Sequence, residues 1–213
     1  ITRSNTQTSL KQNLWERLIM PNWCNNSITI TGPAEKILDI WSKAQDPDSG
    51  LINAMVPMPA ELEGTTAPSD GANWYAWRCE NWGTKWDVDL DGLELEAADG
   101  TATISGWFDS AWSPPTSAYE TFCDENPDCS IEAFYEESGC CFVGKWDSDS
   151  GDDYHEYADA TSETIGSMVP KYLVDEFELD LRLAEYEADE ECEEDEDEEC
   201  EEDEEFDSTP TGL

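Results

Sequence analysis

The segment from Asn73 to Asp87 combines four of the ten tryptophans with Arg78 and Lys85. Indole faces attract Lys and Arg cations, at about 0.5–1 kcal/mol for an exposed pair. An exposed cluster of this kind would form an aromatic groove that stacks a base, a sugar or a partner's side chain, with Asn73, Asn81 and Lys85 orienting the bound group. The candidate ligand- or partner-binding residues are Trp74, Trp77, Arg78, Asn81, Trp82, Lys85 and Trp86.

The same tryptophans also fit a structural role. Trp side chains are on average highly buried, so the cluster equally predicts a plug in the hydrophobic core. Lys85 is also placed to pair with Asp87 rather than with a ligand. The exposure of Trp74, Trp82 and Trp86 separates the two interpretations, because an open groove favours ligand binding and a filled core removes its main support.

The chain offers little for catalysis. Its only histidine, His155, lies among carboxylates in the segment DDYHEY, whereas a nucleophilic Ser or Cys needs an adjacent base. Asp and Glu together number 52, so neighbouring carboxylates arise by chance and identify no acid–base pair. We therefore predict no catalytic residues and a protein that is not an enzyme.

Metal and cofactor motifs are also weak. The segment DSDSGDD at Asp147–Asp153 has alternating oxygen ligands, but it lacks the twelve-residue spacing and closing Glu of a calcium loop, so a solvated turn is the favoured interpretation. The eight cysteines contain no C-x-x-C pair, which argues against zinc. The chain has no phosphate-binding glycine motif. We expect no metal and no cofactor.

The charge of the chain restricts its partners. Ten Lys and Arg against 52 Asp and Glu give a formal net charge of −42 at pH 7. Such a polyanion attracts basic proteins and repels phosphate groups and anionic lipid, so we predict a basic protein partner and no direct contact with nucleic acid or membrane. No apolar run approaches the roughly 20 residues that span a bilayer. The alternative is that the acidity only maintains solubility.

Hydrophobic periodicity predicts the elements that position these residues. In chain order they are a strand Ser27–Thr31, a helix Ala34–Ala44, a short strand Leu51–Val56 within the connection 45–72, a hairpin of Asp87–Ala97 with Thr101–Asp109, a helix Thr116–Glu125, and a hairpin of Ser130–Glu136 with Cys140–Trp146. This order predicts an α+β fold, specifically a ferredoxin-like antiparallel sheet with helices on one face.

The two ends of the chain have different predicted roles. Residues 1–19 are polar and precede Met20, so we interpret them as a disordered leader or an upstream translated segment. Residues 20–183 form the predicted domain, on which the amphipathic helix Val169–Leu183 docks. Residues 184–213 are rich in Asp and Glu, and a helix there would place like charges at i and i+4. We therefore predict a disordered acidic tail.

Four segments occur in an order that resembles a known family. They are MPNWCNN at Met20–Asn26, NWYAWRCENWGTKWD at Asn73–Asp87, FDSAWSPP at Phe108–Pro115 and YEESGCCFVG at Tyr135–Gly144. In these segments the chain resembles the YubB-type ferredoxin-like domain proteins of phages and plasmids. The resemblance implies a ferredoxin-like fold without an iron–sulfur cluster, an origin in a mobile genetic element and an intracellular location. It implies no catalytic residues.

These observations together predict a non-enzymatic protein-interaction module that engages a basic host protein in the cytoplasm of the host cell. A sharper form of the hypothesis is a DNA mimic or anti-defence factor, in which carboxylates take the place of phosphates. The alternative is a small-ligand-binding domain or an enzyme that uses the Trp-rich groove. The sequence leaves the oligomeric state open.

Overall fold

The computed structural model describes residues 22–65 and 72–189 of the chain. The strands are β1 (Trp23–Pro33), β2 (Leu93–Ala98), β3 (Thr101–Ala111), β4 (Ser130–Glu137), β5 (Phe142–Asp147) and β6 (Gly151–Glu156). The helices are α1 (Ala34–Ala44), α2 (Leu51–Met55), α3 (Trp74–Asn81), α4 (Thr116–Glu125), α5 (Ile165–Met168) and α6 (Lys171–Phe177), with a 3₁₀ turn at Ala60–Leu62. The chain divides into two compact units between Tyr154 and His155.

The strands of the described residues form one six-stranded sheet in the order β2-β3-β1-β4-β5-β6. The pairs β1–β3, β1–β4, β2–β3 and β4–β5 are antiparallel. The sheet together with the helices confirms the predicted α+β class. No helix within residues 22–65 and 72–189 is long and apolar enough to cross a membrane.

The core of the first unit lies against one face of the sheet. Successive side chains of a strand point to opposite faces, and in β1 the buried residues alternate with partly exposed ones. Ile30 of β1 lies between Ile104 of β3 and Ile131 of β4 in the register, and all three are buried. Helix α1 contributes Ile37 and Ile40 to this core. The predicted bounds of α1 and α4 are confirmed.

The predicted strand Leu51–Val56 is wrong, because Leu51–Met55 is helix α2. The carboxylate of Asp87 caps this helix, accepting hydrogen bonds from the backbone N–H groups of Gly50 at 2.8 Å and Ile52 at 2.9 Å. These donors belong to the first turn of the helix, where no intrahelical acceptor is available. A distant residue therefore supplies the signal that makes this segment helical.

The predicted helix Val169–Leu183 is not continuous. Helix α6 ends at Phe177, Glu178 adopts a left-handed backbone with φ of 50°, and residues 179–189 are helical again. In an uninterrupted helix, residues two apart do not share a face. The interruption allows Phe177 and Leu179 both to be buried. Docking of this segment on the domain stays a prediction.

Several boundaries also differ from the predicted ones: β1 is longer at both ends, β3 and β4 end later, and β5 begins later and ends later than predicted. Strand β2 begins only at Leu93, because residues 90–92 form a turn in which the backbone N–H of Leu93 donates to the carbonyl of Leu90 at 3.0 Å. The helix of residues 179–189 extends past the predicted domain end at residue 183, and Glu187 in it accepts hydrogen bonds from the backbone and hydroxyl of Ser162 at 2.8 and 2.6 Å. The predicted leader 1–19 and residues 190–213 of the predicted tail lie outside the described residues.

Strand β6 is an element that the sequence patterns did not predict. The segment Asp147–Asp153 contains the turn that joins β5 to β6. The Asp147 carboxylate accepts a hydrogen bond from the backbone N–H of Asp149 at 2.9 Å. These side-chain contacts stabilise the turn locally, as short Asx turns do.

Candidate partner-binding site

Helix α3 carries the first half of the tryptophan-rich segment. Asn73 caps its N terminus by accepting a hydrogen bond from the backbone N–H of Ala76 at 2.9 Å, which is the usual role of Asn at this position. The helix presents Trp77 to the core, where its ring packs edge-on against Trp82 at 5.9 Å between centroids. The N-cap thus fixes where the helix begins.

Trp82 belongs to the hydrophobic core. Its side chain is 0% exposed, and its indole Nε1 donates a hydrogen bond to the backbone carbonyl of Val56 at 2.8 Å. A buried Trp with a satisfied N–H matches the structural interpretation of the segment rather than the groove. The tryptophan-rich segment is therefore divided, with Trp77 and Trp82 in or against the core.

Arg78 stabilises this part of the core through its flat guanidinium group. Its Cζ lies 4.5 Å from the centroid of Trp82 and 5.4 Å from that of Trp74, as in cation–π contacts. Burial lowers the pKa of Arg78, and the charge of Asp87 opposes that effect. Asn81 donates a hydrogen bond to the carbonyl of Trp77, one turn earlier in the same helix. These residues therefore make contacts within the segment itself.

Trp86 lines a surface pocket. Its ring lies 5.9 Å from that of Trp23 between centroids, and the two planes are tilted by 45°. Lys85 places its Nζ 4.4 Å from the centroid of the Trp86 ring. Trp86 therefore already makes one cation–π contact, with Lys85, which does not line the pocket.

The pocket beside Trp86 has a volume of about 350 Å³. We call it the tryptophan pocket and define it by the residues Trp23, Trp86, Asp89, Trp107 and Asp109, which all line it. Trp23 and Trp107 are 50% and 45% exposed. Three indoles from three separate segments therefore line one surface depression, in contrast to the isolated apolar side chains that are normal on protein surfaces.

The carboxylates of the pocket have different partners. Asp87 also lines it, but its oxygens accept hydrogen bonds from backbone N–H groups, and these bonds oppose the rise in the pKa of Asp87 that burial causes. Asp109 accepts one hydrogen bond, from Asn25 Nδ2 at 3.2 Å. Asp89 is exposed and accepts one from the backbone N–H of Asp91. Since a carboxylate offers about four lone-pair sites, Asp89 and Asp109 retain acceptor capacity for a bound group.

An acidic edge borders the pocket. We define the acidic edge as Asp89, Asp91, Glu94 and Glu96, all of which are exposed. Glu94 lies opposite Ser105 in the register, on the same face as Trp107 two residues further along β3. Strand β2 is the last strand of the sheet on this side. Aromatic and acidic side chains therefore adjoin on one face of the sheet edge.

Gly92 brings β3 close to the start of β2 and so shapes the pocket. Its carbonyl accepts a hydrogen bond from Trp107 N at 3.0 Å, and an added Cβ would overlap the Trp107 carbonyl. We expect Gly92→Ala to lower the free energy of unfolding by about 1–3 kcal/mol, because the backbone must shift. Urea denaturation measures this change. Gly166→Ala is the control, since its Cβ meets open space; equal effects of the two substitutions would contradict the prediction.

The structure brings together only part of the predicted site. Among the seven candidates, Trp86 lines the pocket and Lys85 contacts its ring. Trp23, Trp107 and Asp109 were not candidates, although Trp23 stands in the segment MPNWCNN and Asp109 in FDSAWSPP. The alternation of β3 is the sequence signal for Trp107, because it places Trp107 on the opposite face of the strand from the buried Ile104. Pairing of β1 with β3 was needed to place them together.

Comparison with known proteins gives little further information. No family model matches the chain, and no curated protein matches it. A crystal structure of the protein api92 from Yersinia pseudotuberculosis, of the family DUF1281, is similar over 53% of this chain and 41% of that chain, with 15% sequence identity and a TM-score of 0.34. At this level of similarity, the Yersinia protein assigns no function to this chain.

Proposed function

We propose that this protein is a non-enzymatic interaction module that engages a basic protein of the host cell. The observation that carries the proposal is the acidic edge beside the tryptophan pocket. Its four carboxylates are exposed, and residues 89–96 contain no Lys or Arg that would neutralise them. Facing surfaces of opposite potential accelerate encounter and select partners by charge.

The composition of the chain supports the same partner class. A formal net charge of −42 makes contact with phosphate-rich surfaces unfavourable and contact with Lys- and Arg-rich surfaces favourable. In its sharper form the proposal is a DNA mimic or anti-defence factor, whose carboxylates occupy the nucleic-acid cleft of a host protein. The cytoplasm of the host is the compartment where such a partner is met.

We also infer a ferredoxin-like core and a relationship to the YubB-type proteins of phages and plasmids. The sheet order β2-β3-β1-β4, with α1 after β1 and α4 after β3, supports the split βαβ arrangement. The four sequence segments named above support the relationship. An origin in a mobile genetic element follows from that relationship and belongs to the same proposal.

Binding of a defined basic peptide tests the proposal. The probe is a fluorescently labelled peptide of about 12 residues in which Lys and Arg alternate with Ser, and a single-stranded oligonucleotide of similar length is the opposite-charge control. We expect the peptide to bind at low salt and to lose at least about tenfold in affinity when salt rises to about 0.5 M, because exposed charges are then screened.

The matched variant for this test neutralises three of the four carboxylates of the acidic edge and leaves Asp89, which also lines the pocket. Asp91→Asn, Glu94→Gln and Glu96→Gln together preserve size and leave the tryptophans in place, and we expect them to weaken peptide binding severalfold. Salt-insensitive binding, or unchanged affinity in this variant, would contradict the proposal. Tight binding of the oligonucleotide would also contradict it.

Small-ligand binding is the second candidate function. It is favoured by the volume of the pocket, about 350 Å³, which lies at the lower end of the range for small-molecule sites. Under this alternative, a free cationic amino acid or amine would bind as tightly as the peptide. Under the proposed function, the peptide binds more tightly because the acidic edge contacts residues on either side of the pocket.

A further inference from the structure

The tryptophan pocket combines two features that together select the chemistry of an occupant. Its indoles come from the start of β1, from β3 and from the segment before β2, and Trp23 and Trp107 are about half exposed. Its carboxylates, Asp89 and Asp109, line the same depression. Indole faces attract cations through the ring quadrupole, and carboxylates attract them by charge. Both features favour one positively charged group.

The surroundings of Trp86 show that such contacts form in this protein. Lys85 Nζ lies 4.4 Å from the centroid of Trp86, yet Lys85 is not among the residues that line the pocket. Arg78 stacks on Trp74 and Trp82 elsewhere in the same segment. Both guanidinium–indole and ammonium–indole contacts therefore occur within this protein. The tryptophan pocket presents further indole surface to a cation from a binding partner.

The shape of the indole cluster favours guanidinium over ammonium. Trp23 and Trp86 contact each other at 5.9 Å between ring centroids, and the Trp23 side chain, which is 50% exposed, leaves ring surface on which a planar group can stack. A guanidinium is planar, weakly hydrated and carries five N–H donors in a fixed fork, whereas an ammonium is compact and strongly hydrated. The fork can stack on an indole while donating to Asp89 or Asp109, which retain acceptor capacity.

We propose that the tryptophan pocket binds an arginine side chain of a basic protein segment. This inference rests on the proposed function and names the group that the partner inserts. The guanidinium stacks on the half-exposed ring of Trp23, beside Trp86, and its N–H groups donate hydrogen bonds to Asp109 or Asp89. The residues that flank the arginine in the partner run along the acidic edge, which contributes attraction by charge but no preference for Arg over Lys.

Two peptides of equal charge test this inference. Each has about 12 residues, with basic residues alternating with Ser, and one contains only Arg where the other contains only Lys. Isothermal calorimetry with the full chain measures both affinities. We expect the Arg peptide to bind about fivefold more tightly or better, since stacking and forked hydrogen bonds are available only to guanidinium.

Substitution of one indole gives the matched comparison. We expect Trp23→Leu to weaken binding of the Arg peptide about fivefold and to leave binding of the Lys peptide less affected. Trp112→Leu is the control, because Trp112 is 45% exposed and does not line the pocket. Trp23→Phe should retain part of the affinity. Near-UV circular dichroism of each variant shows whether the fold is preserved.

The outcomes separate this inference from the proposed function. Salt-sensitive binding of both peptides with equal affinity, or equal losses in Trp23→Leu and Trp112→Leu, would overturn the arginine pocket and leave the basic-partner proposal in place. If neither the Arg peptide nor the Lys peptide binds, both the arginine pocket and the basic-partner proposal are overturned. If Trp23→Leu fails to fold, Asp109→Asn replaces it, and loss of the preference for the Arg peptide is then the supporting result.

Discussion

Trp82→Ala is expected to lower the free energy of unfolding by about 3–5 kcal/mol, the usual cost of deleting a buried Trp side chain. Trp82 is fully buried, packs against Trp77 and donates its indole N–H to the Val56 carbonyl. The substitution leaves a cavity and an unsatisfied carbonyl in the same place. Urea denaturation followed by circular dichroism measures the change.

Trp74→Ala is the control for this prediction. Trp74 belongs to the same sequence segment and also contacts Arg78, but its side chain is only half-buried. We expect its removal to cost less than about 1.5 kcal/mol. A loss at Trp82 no larger than the loss at Trp74 would contradict the assignment of Trp82 to the core.

Asp87→Ala is expected to lower the free energy of unfolding by about 2–4 kcal/mol, because several partly buried donors lose one shared acceptor. The carboxylate accepts hydrogen bonds from the backbone N–H groups of Gly50, Ile52, Asn53 and Val88. Without it, the first turn of α2 has no cap from this side chain. In the Asp87→Ala variant, hydrogen exchange should be faster at the Ile52 and Asn53 amides than at the amides of β1.

Asp89→Ala provides the comparison at a nearby carboxylate. Asp89 is exposed and bonds only locally, to the backbone N–H of Asp91. Its replacement should change the free energy of unfolding by less than about 0.5 kcal/mol. If Asp87→Ala is as mild as Asp89→Ala, the cap does not stabilise α2.

Local signals predicted the elements whose causes are local. Pro33 followed by Ile37 and Ile40 at helical spacing predicted α1, and the alternation of Ile28 and Ile30 predicted the centre of β1. Helix α2 was missed because its cap, Asp87, is 37 residues away from Gly50 in the chain. A short apolar run does not by itself distinguish a helix from a strand.

The site was predicted less completely than the fold, for the same reason. The density of tryptophan in residues 73–87 predicts a site there, and that segment does supply Trp86 to the pocket. The same segment also contains Trp82, which is buried in the hydrophobic core and is not part of the pocket. The antiparallel pairing of β1 with β3 places Trp23, which lies opposite Ala111, on the same face as Trp107, which lies opposite Ser27. The segment before β2 then brings Trp86 to the same pocket. No spacing in the sequence shows that juxtaposition.

The indole N–H resonances of the protein give the most direct test of the account. Single Trp→Phe substitutions assign these resonances in a two-dimensional ¹H–¹⁵N spectrum, and the arginine peptide is then titrated into the full chain. We predict that the Trp23 and Trp86 resonances shift with the peptide, while the Trp82 resonance stays in place because its N–H is bonded to Val56 in the core. Saturable peptide binding with unmoved Trp23 and Trp86 resonances would contradict the account.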